Sequence, residues 1–344
     1  MERVIVFGAT GFLGISLVSD LLLGEHDVKA FCLPQDKEAS LLPNNVSIIY
    51  GDILDINNVM DAINEGDCVI HLASLISILK KDKKAMWDVN VLGTRNIVEA
   101  CLKKKASRLL YVSSSHVCGA KRGKLIDESG FNHHVHSLSG YEQSKLEATK
   151  IVLEARRQGL VSDVVFPTGI IGPGDHKGGA LSNFVSQVLK GDLPYYVKGG
   201  YAFVDVRDVS KGIVRIIETA KGGESYIFSS GYASIGEIVS LARLCFPEQK
   251  RSKKLPKVFA YIGLPFIALR ARISKQVPLY SLMSLKTIAS PSNFDTSKAR
   301  RNLNLVFRPL HESLIDMMNY INTNPPGDFG NKKKAKVRKV RLAN

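Results

Sequence analysis

Four apolar residues running straight into a glycine turn constrain this chain more than any other feature. The stretch RVIVFGATGFLG, Arg3 to Gly14, sets Val4, Ile5, Val6 and Phe7 directly before Gly8, Gly11 and Gly14. A β-branched and aromatic run of that length reads as a strand buried on both faces. From Gly11 onward Phe12, Leu13, Ile15, Leu17, Val18, Leu21 and Leu22 recur at helical spacing until Gly24, a helix stop. Unpaired amides at a helix N-terminus attract an anion, and missing side chains let a diphosphate approach the backbone. The spacing is GxxGxxG rather than GxGxxG, so by itself the stretch also reads as a tight corner beside a buried strand.

The rest of the chain bears on that choice. Strand-like runs at Asp27 to Leu33, Val46 to Asp55, Asp67 to Ser74 and RLLYVSSS alternate with helical stretches over about 84–105 and 141–158, the latter leading into SDVVFPTGIIGPGD. Such alternation predicts an α/β fold, a doubly wound parallel sheet with helices on both faces. Beyond about residue 175 the alternation loosens. A short extended piece and helix (AFVDVRDVSKGIVRIIETA), a strand (ESYIFSSG) and a further helix (SIGEIVSLARLC) follow, reading as a smaller C-terminal substrate-binding lobe. We divide the chain at 1–175, 176–325, with some segments of the second part returning to the first, and a tail at 326–344.

Composition excludes several classes. A net charge of +15 invites a nucleic-acid reading. Much of the excess sits in the tail, where Lys332, Lys333, Lys334, Lys336, Arg338, Lys339 and Arg341 occur with no acid among them. That segment reads as a disordered solubilising or nonspecifically contacting tail, open to an anionic membrane surface, and no specific nucleic-acid site is expected. The cysteines Cys32, Cys68, Cys101, Cys118 and Cys245 are scattered without metal-ligand spacing, which fits a reducing, cytoplasmic setting without disulfides or structural zinc. A first strand at residue 3 leaves no room for a signal peptide. The apolar run from Val258 to Leu269, broken by Pro265, is short of the about 20 residues a bilayer span takes, and reads as a substrate-lobe segment. His133, His134 and His136 in HHVH read as a substrate-lining or solvated loop, and no metal is expected.

Chemistry enters with GYEQSKLEATKIVLEA. Tyr141 and Lys145 stand four positions apart in a helical stretch and so project from one face. A phenol titrates near pH 10 in isolation; a neighbouring ammonium lowers that value and makes it a usable acid/base. LLYVSSSHVCG ends in Ser113, Ser114 and Ser115 at the carboxyl edge of the expected sheet, where open α/β folds bind ligands.

Taken in order, GATGFLG, GDILD, HLAS, VNVLGTRNIVEA, YVSSSHVCG, YEQSK, FPTGIIGPGD, FVDVRDVSKGI and FDTSKARRNLN resemble an extended short-chain dehydrogenase/reductase of the NAD-dependent epimerase/dehydratase superfamily. The resemblance is greatest to the dihydroflavonol reductase and 3β-hydroxysteroid dehydrogenase-like branch. It runs from Val4 to about Tyr320 and implies a Rossmann-type fold in which GxxGxxG is the normal diphosphate turn. By position it places Gly8, Gly11 and Gly14 under the diphosphate, with Thr10, Phe12 and Leu13 on the same loop. Asp52 and Ile53 match the pair beside the adenine; Leu72, Ala73 and Ser74 match the segment under the ribose; Pro167, Thr168 and Ile170 match the stretch beside the nicotinamide. The family serine falls on Ser114, with Ser115 as the alternative. Tyr141 becomes the general acid/base, Lys145 the group that tunes it and holds the nicotinamide ribose, and Asn90 a supporting member of the catalytic set.

The resemblance leaves NAD or NADP open as cofactor. In FCLPQDKE, Leu33 stands where an arginine that clamps the 2′-phosphate is frequent, while Asp36 suits ribose hydroxyls and Lys37 a phosphate. Phe166 stands where arginine is common in sugar-nucleotide epimerases, and Cys118 where many relatives carry tyrosine. The implied function is hydride exchange between a ketone and a secondary alcohol on a hydrophobic small molecule, suggested by the apolar segment around Phe259, Tyr261, Phe266, Tyr280 and Leu282. The alternatives are a nucleotide-sugar epimerase or dehydratase with tightly bound NAD, and a non-catalytic cofactor-binding protein. Dimerisation through the helices around Trp87 and Tyr141 is usual in the family.

Overall fold

Alternation along the first strand, β1 (Arg3–Phe7), shows how the sheet is covered. Val4 and Val6 belong to one apolar core and Ile5 and Phe7 to another, because successive strand side chains point to opposite faces. All four are buried, as a parallel sheet with helices on both faces requires. The computed structural model describes residues 1–77, 82–119, 125–131, 140–219, 221–247, 252–256, 258–259 and 293–324.

After β1 come α1 (Phe12–Leu23), β2 (Asp27–Cys32), β3 (Ser47–Tyr50), α2 (Ile56–Ala62) and β4 (Cys68–His71). Helix α3 (Lys83–Trp87) passes through one π turn (Asp88–Leu92) into α4 (Gly93–Lys103). Then follow β5 (Arg108–Val112), β6 (Leu125–Ile126), α5 (Gly140–Arg157), β7 (Ser162–Pro167), β8 (Gly169–Ile171) and α6 (Ala180–Lys190). The remainder is β9 (Tyr195–Val197), β10 (Gly200–Asp205), α7 (Val206–Thr219), β11 (Ser225–Phe228), β12 (Gly231–Ser234), α8 (Ile235–Cys245), β13 (Lys253–Leu255), β14 (Asn293–Phe294), α9 (Ser297–Leu303) and α10 (Leu310–Thr323).

Seven strands pair in parallel in the order β11-β7-β5-β4-β1-β2-β3. The order turns back at β1, which has β2 on one side and β4 on the other, and a crevice opens at such a reversal beyond the strand carboxyl ends. One face of the sheet is covered through Leu17 and Leu21 of α1, Val209 and Ile213 of α7 and Leu303 of α9. The other is covered through Val59 of α2, Ile97 and Cys101 of α4 and Val152 of α5. A third core joins Phe203 of the small β12-β10-β8 sheet to Val185 of α6, Ile238 of α8 and Met317 of α10.

Two elements differ from the sequence reading. The third strand stops at Tyr50 instead of running to Asp55, because the Asp52 carboxylate accepts the Leu54 amide in a turn and Asp55 caps α2 through the Asn57 amide. The helix expected over about 84–105 is interrupted by the π turn. Helices α2, α6, α9 and α10 are additional. All five cysteines are free, and four of them are buried. The HHVH histidines, Tyr261, Phe266, Tyr280, Leu282 and the basic tail lie outside the described residues. Among the described residues, no helix is long and apolar enough to cross a membrane.

Candidate active site

The crevice is floored by backbone. Gly8 takes φ +86°, the left-handed region, and a Cβ there would stand 2.6 Å from the Ala73 amide nitrogen. A Cβ on Gly14 would stand 2.5 Å from the Ala9 carbonyl oxygen. The Gly11 amide closes the turn on the Gly8 carbonyl at 3.1 Å, and α1 begins there with no capping side chain. Leu72 and Ala73 both donate their amides to the Phe7 carbonyl, at 2.8 and 3.0 Å, so the segment after β4 runs alongside the turn. A concavity that any Cβ would fill, at an uncapped helix N-terminus, fits the diphosphate of a dinucleotide. Leu13 is buried in the core and Phe12, half-buried, packs against it.

The other expected contacts are distributed along the same edge. Thr10 is buried, and its hydroxyl donates to the Asp36 carboxylate beyond β2. Asp52 is exposed beyond β3, while Ile53 is buried against Gly93 of α4. Thr168, buried after β7, donates its amide to the Phe228 carbonyl at 3.0 Å; Pro167 precedes it, and Ile170 packs against the core.

Tyr141 and Lys145 rise from the first two turns of α5 towards the end of β5. The Lys145 ammonium is buried, donates to the Val112 carbonyl at 2.7 Å and lies 4.5 Å from the centre of the Tyr111 ring. The three serines after β5 have separate surroundings. Ser113 bonds Thr149 of α5 at 2.7 Å, and Ser115 opens a short 3₁₀ turn. Ser114 caps that turn, lies 3.1 Å from His116 Nδ1, and faces the Tyr141 phenol together with Ser74.

Asn90 sits in the π turn, a feature that recurs at functional sites. It is buried; its Oδ1 accepts the Ser74 hydroxyl at 3.1 Å and the Leu75 amide at 2.8 Å, and its Nδ2 donates to the Leu75 carbonyl at 3.0 Å and to the Ser144 hydroxyl at 2.9 Å. Every one of these bonds goes to the segment after β4 or to α5. Asn90 therefore holds the Ser74 and Tyr141 segments together and acts on them from behind.

Electrostatics reverses one expectation. Burial pushes the Tyr141 phenol up to about 12, with Ser114 and Ser74 pulling it down and Glu142 adding to the rise. Lys145 does not lower it, because the amine is directed at Val112 and Tyr111. Burial instead brings Lys145 itself down to about 7. Near neutral pH the phenol is thus protonated and the amine is close to its half-titration point. Beneath Lys145, His71 is fully buried and bonds Thr94 at 2.8 Å; burial and then the Lys145 charge lower it to about 3.

His71, Tyr111, Thr94 and His116 are neighbours of the site that sequence reasoning missed. His71 and His116 lie inside the motifs HLAS and SSSH, which carry a signal; Tyr111 comes beside His71 through the pairing of β4 with β5, and Thr94 reaches His71 from α4. Among the described residues, no group of three or more His, Cys, Asp or Glu is placed to hold a metal ion.

Comparison with known proteins agrees with this architecture. The NAD dependent epimerase/dehydratase family matches residues 4–229. Sterol demethylase protein B of Methylococcus capsulatus is 30% identical over 88% of this chain and 93% of its own length. A Synechocystis protein bearing a dihydroflavonol 4-reductase name is 31% identical over 92% of this chain and 93% of its own. The solved UDP-glucuronic acid 4-epimerase of Bacillus cereus, in complex with NAD, shares the fold at 21% identity, with a TM-score of 0.72 over 94% of this chain and 99% of that one. The chain belongs to the NAD-dependent epimerase/dehydratase family and is an extended short-chain dehydrogenase/reductase. The family's description, NAD dependent, agrees with a nicotinamide dinucleotide, NAD or NADP, as its cofactor.

Proposed function

We propose that this protein interconverts a ketone and a secondary alcohol on a hydrophobic small molecule of steroid, flavonoid or terpenoid type, with Tyr141 as general acid/base. The observation that carries the reading is the Tyr141 phenol at the sheet's carboxyl edge, faced by Ser114 and Ser74 and one helical turn from a buried lysine. The names of the sterol demethylase and dihydroflavonol reductase relatives support an apolar, ring-containing substrate.

When bound, NAD accepts or supplies hydride at its nicotinamide. The chain's residues do the rest. The backbone at Gly8, Gly11 and Gly14, with Thr10, Phe12 and Leu13 on the same loop, holds the diphosphate. Asp52 and Ile53 would hold the adenine, Leu72, Ala73 and Ser74 the ribose, and Pro167, Thr168 and Ile170 the nicotinamide. Ser114 donates a hydrogen bond to the substrate oxygen. Tyr141 gives that oxygen its proton during reduction and removes it during oxidation. Lys145, half-protonated near neutral pH, would hold the ribose. Asn90 is a positioning residue. The experiment is a scan of apolar ketones and alcohols by nicotinamide absorbance, with Tyr141→Phe as control. Turnover lost in that variant supports the reading; interconversion of UDP-sugars without net absorbance change assigns the chain to epimerisation instead.

We further propose a cytoplasmic protein that forms a homodimer through the helices around Trp87 and Tyr141, from α3 to α5. Leu102, Ile151 and Leu153 there form a half-buried apolar stripe between charged residues. Sedimentation at micromolar concentration tests it, a monomer being the contrary result. The basic tail then serves solubility or contact with an anionic surface.

A further inference from the structure

A cation distant in sequence pairs with the acid that follows β2. Lys177, in the segment before α6, places its ammonium 3.1 and 3.3 Å from the two Asp36 oxygens and 3.8 Å from Glu38. Asp36 also accepts the Thr10 hydroxyl from the glycine turn and the Glu38 amide. Both its oxygens are engaged, so it is not a free acceptor for ribose hydroxyls. Although burial raises it, hydrogen bonds from Glu38, Thr10 and Lys177 bring its carboxyl to about 2.

Lys177 is presented by a fixed frame. On one side Asp175, buried, accepts the Gly178 amide at 3.1 Å, the Gly179 amide at 2.7 Å and the Ser182 hydroxyl. His176 Nδ1 lies 3.1 Å from the Tyr320 hydroxyl of α10. Gly174 and Gly178 adopt φ +96° and +65°, which let the chain turn tightly around the lysine.

We propose that Lys177 is a specificity-determining residue for the cofactor: engaged by Asp36 and Glu38, it is withheld from a 2′-phosphate, and this ion-paired cluster sets the preference for NAD over NADP. The inference rests on dinucleotide binding at the glycine turn, as proposed above. A 2′-phosphate brought beside this cluster meets two carboxylates whose ion-pair partner, Lys177, is already engaged. Remove one carboxylate charge and the same lysine becomes a phosphate donor.

Titration calorimetry on the full chain tests this without a substrate, using NAD, NADP, 5′-AMP and adenosine 2′,5′-bisphosphate. Wild type binds NAD and 5′-AMP in preference to their 2′-phosphorylated counterparts. Asp36→Asn, which keeps the acceptor for Thr10, shifts the NADP-to-NAD affinity ratio towards NADP by about tenfold. Glu38→Gln shifts it the same way by about threefold, and serves where Asp36→Asn lowers the melting temperature. Adding Lys177→Gln to either variant returns the ratio to within about twofold of wild type. A ratio unmoved by both acid substitutions overturns the proposal. So does a double variant as shifted as the single one, since the lysine then plays no part. Failure of wild type to bind either dinucleotide overturns the functional reading itself, and this inference with it.

Discussion

The two halves of the crevice are made of different materials. The diphosphate turn is backbone: a left-handed Gly8, a Gly14 that admits no side chain, and an uncapped helix start, all within the seven residues from Gly8 to Gly14. The Tyr141 half is side chain, drawn from the end of β5, the first turns of α5 and the π turn before α4. A backbone site has nothing to titrate and is specified locally. A side-chain site depends on long-range packing, and burial decides its charges. That is why the turn could be read as expected, whereas the Tyr141 phenol moved up instead of down.

The largest effects should separate these halves. Tyr141→Phe removes the proton donor without touching the turn, so kcat should fall by about a thousandfold while NAD affinity stays within about twofold. Loss of NAD binding in that variant would break the division. Gly14→Ala does the reverse. Its Cβ meets the Ala9 carbonyl at 2.5 Å, and relieving the clash should cost about 1–3 kcal/mol of stability, with a loss of NAD affinity. Calorimetric melting and NAD titration read both consequences.

Lys145→Met sharpens the contrast through pH. The lysine is lowered from 10.5 to about 7 in the fold, so between those values the unfolded chain binds the extra proton. Stability therefore rises with pH through that window, by at most about 1.4 kcal/mol per unit, and the full cost of burying the charge is present below it. Methionine carries no such cost. The variant should melt higher than wild type at pH 7 and show a flatter stability profile from pH 7 to 10, while losing activity. A parallel profile in the two proteins would mean that Lys145 is not desolvated as its burial implies.

Much of the frame was legible because its signals are local. Val4 to Phe7 read as doubly buried from composition alone, and Gly8 to Gly14 as a phosphate-sized turn from spacing. Tyr141 and Lys145 were legible as a pair because helical periodicity fixes what shares a face. The direction of their titration was not, since it depends on the Val112 carbonyl and the Tyr111 ring, which reach Lys145 only when β5 packs under α5. Lys177 was illegible for the same reason: its partner Asp36 lies 141 residues away, and no periodicity links them. The end of β3 was misjudged because Asp52 and Asp55, which bend the chain there, read equally well as part of an apolar run's polar flank.

The smallest expected effect lies within the serine triplet, and it tests the register of the whole side-chain half. Ser113 bonds Thr149, whose hydroxyl in turn donates to the Lys145 carbonyl at 2.7 Å, so its hydroxyl belongs to the attachment of α5. Losing that bond should cost about 1 kcal/mol of stability with little change in kcat. Ser115 is buried at the start of the 3₁₀ turn, and of the three only Ser114 faces the Tyr141 phenol. Ser114→Ala should lower kcat by about a hundredfold, the scale of one lost transition-state hydrogen bond. Ser115→Ala should change it by less than about twofold, since surroundings that exclude the reacting oxygen leave only local packing to disturb. An inverted result, with Ser115 the sensitive position, would shift the site by one residue along the segment after β5, and Tyr141 would then lack the hydroxyl partner on which its role depends.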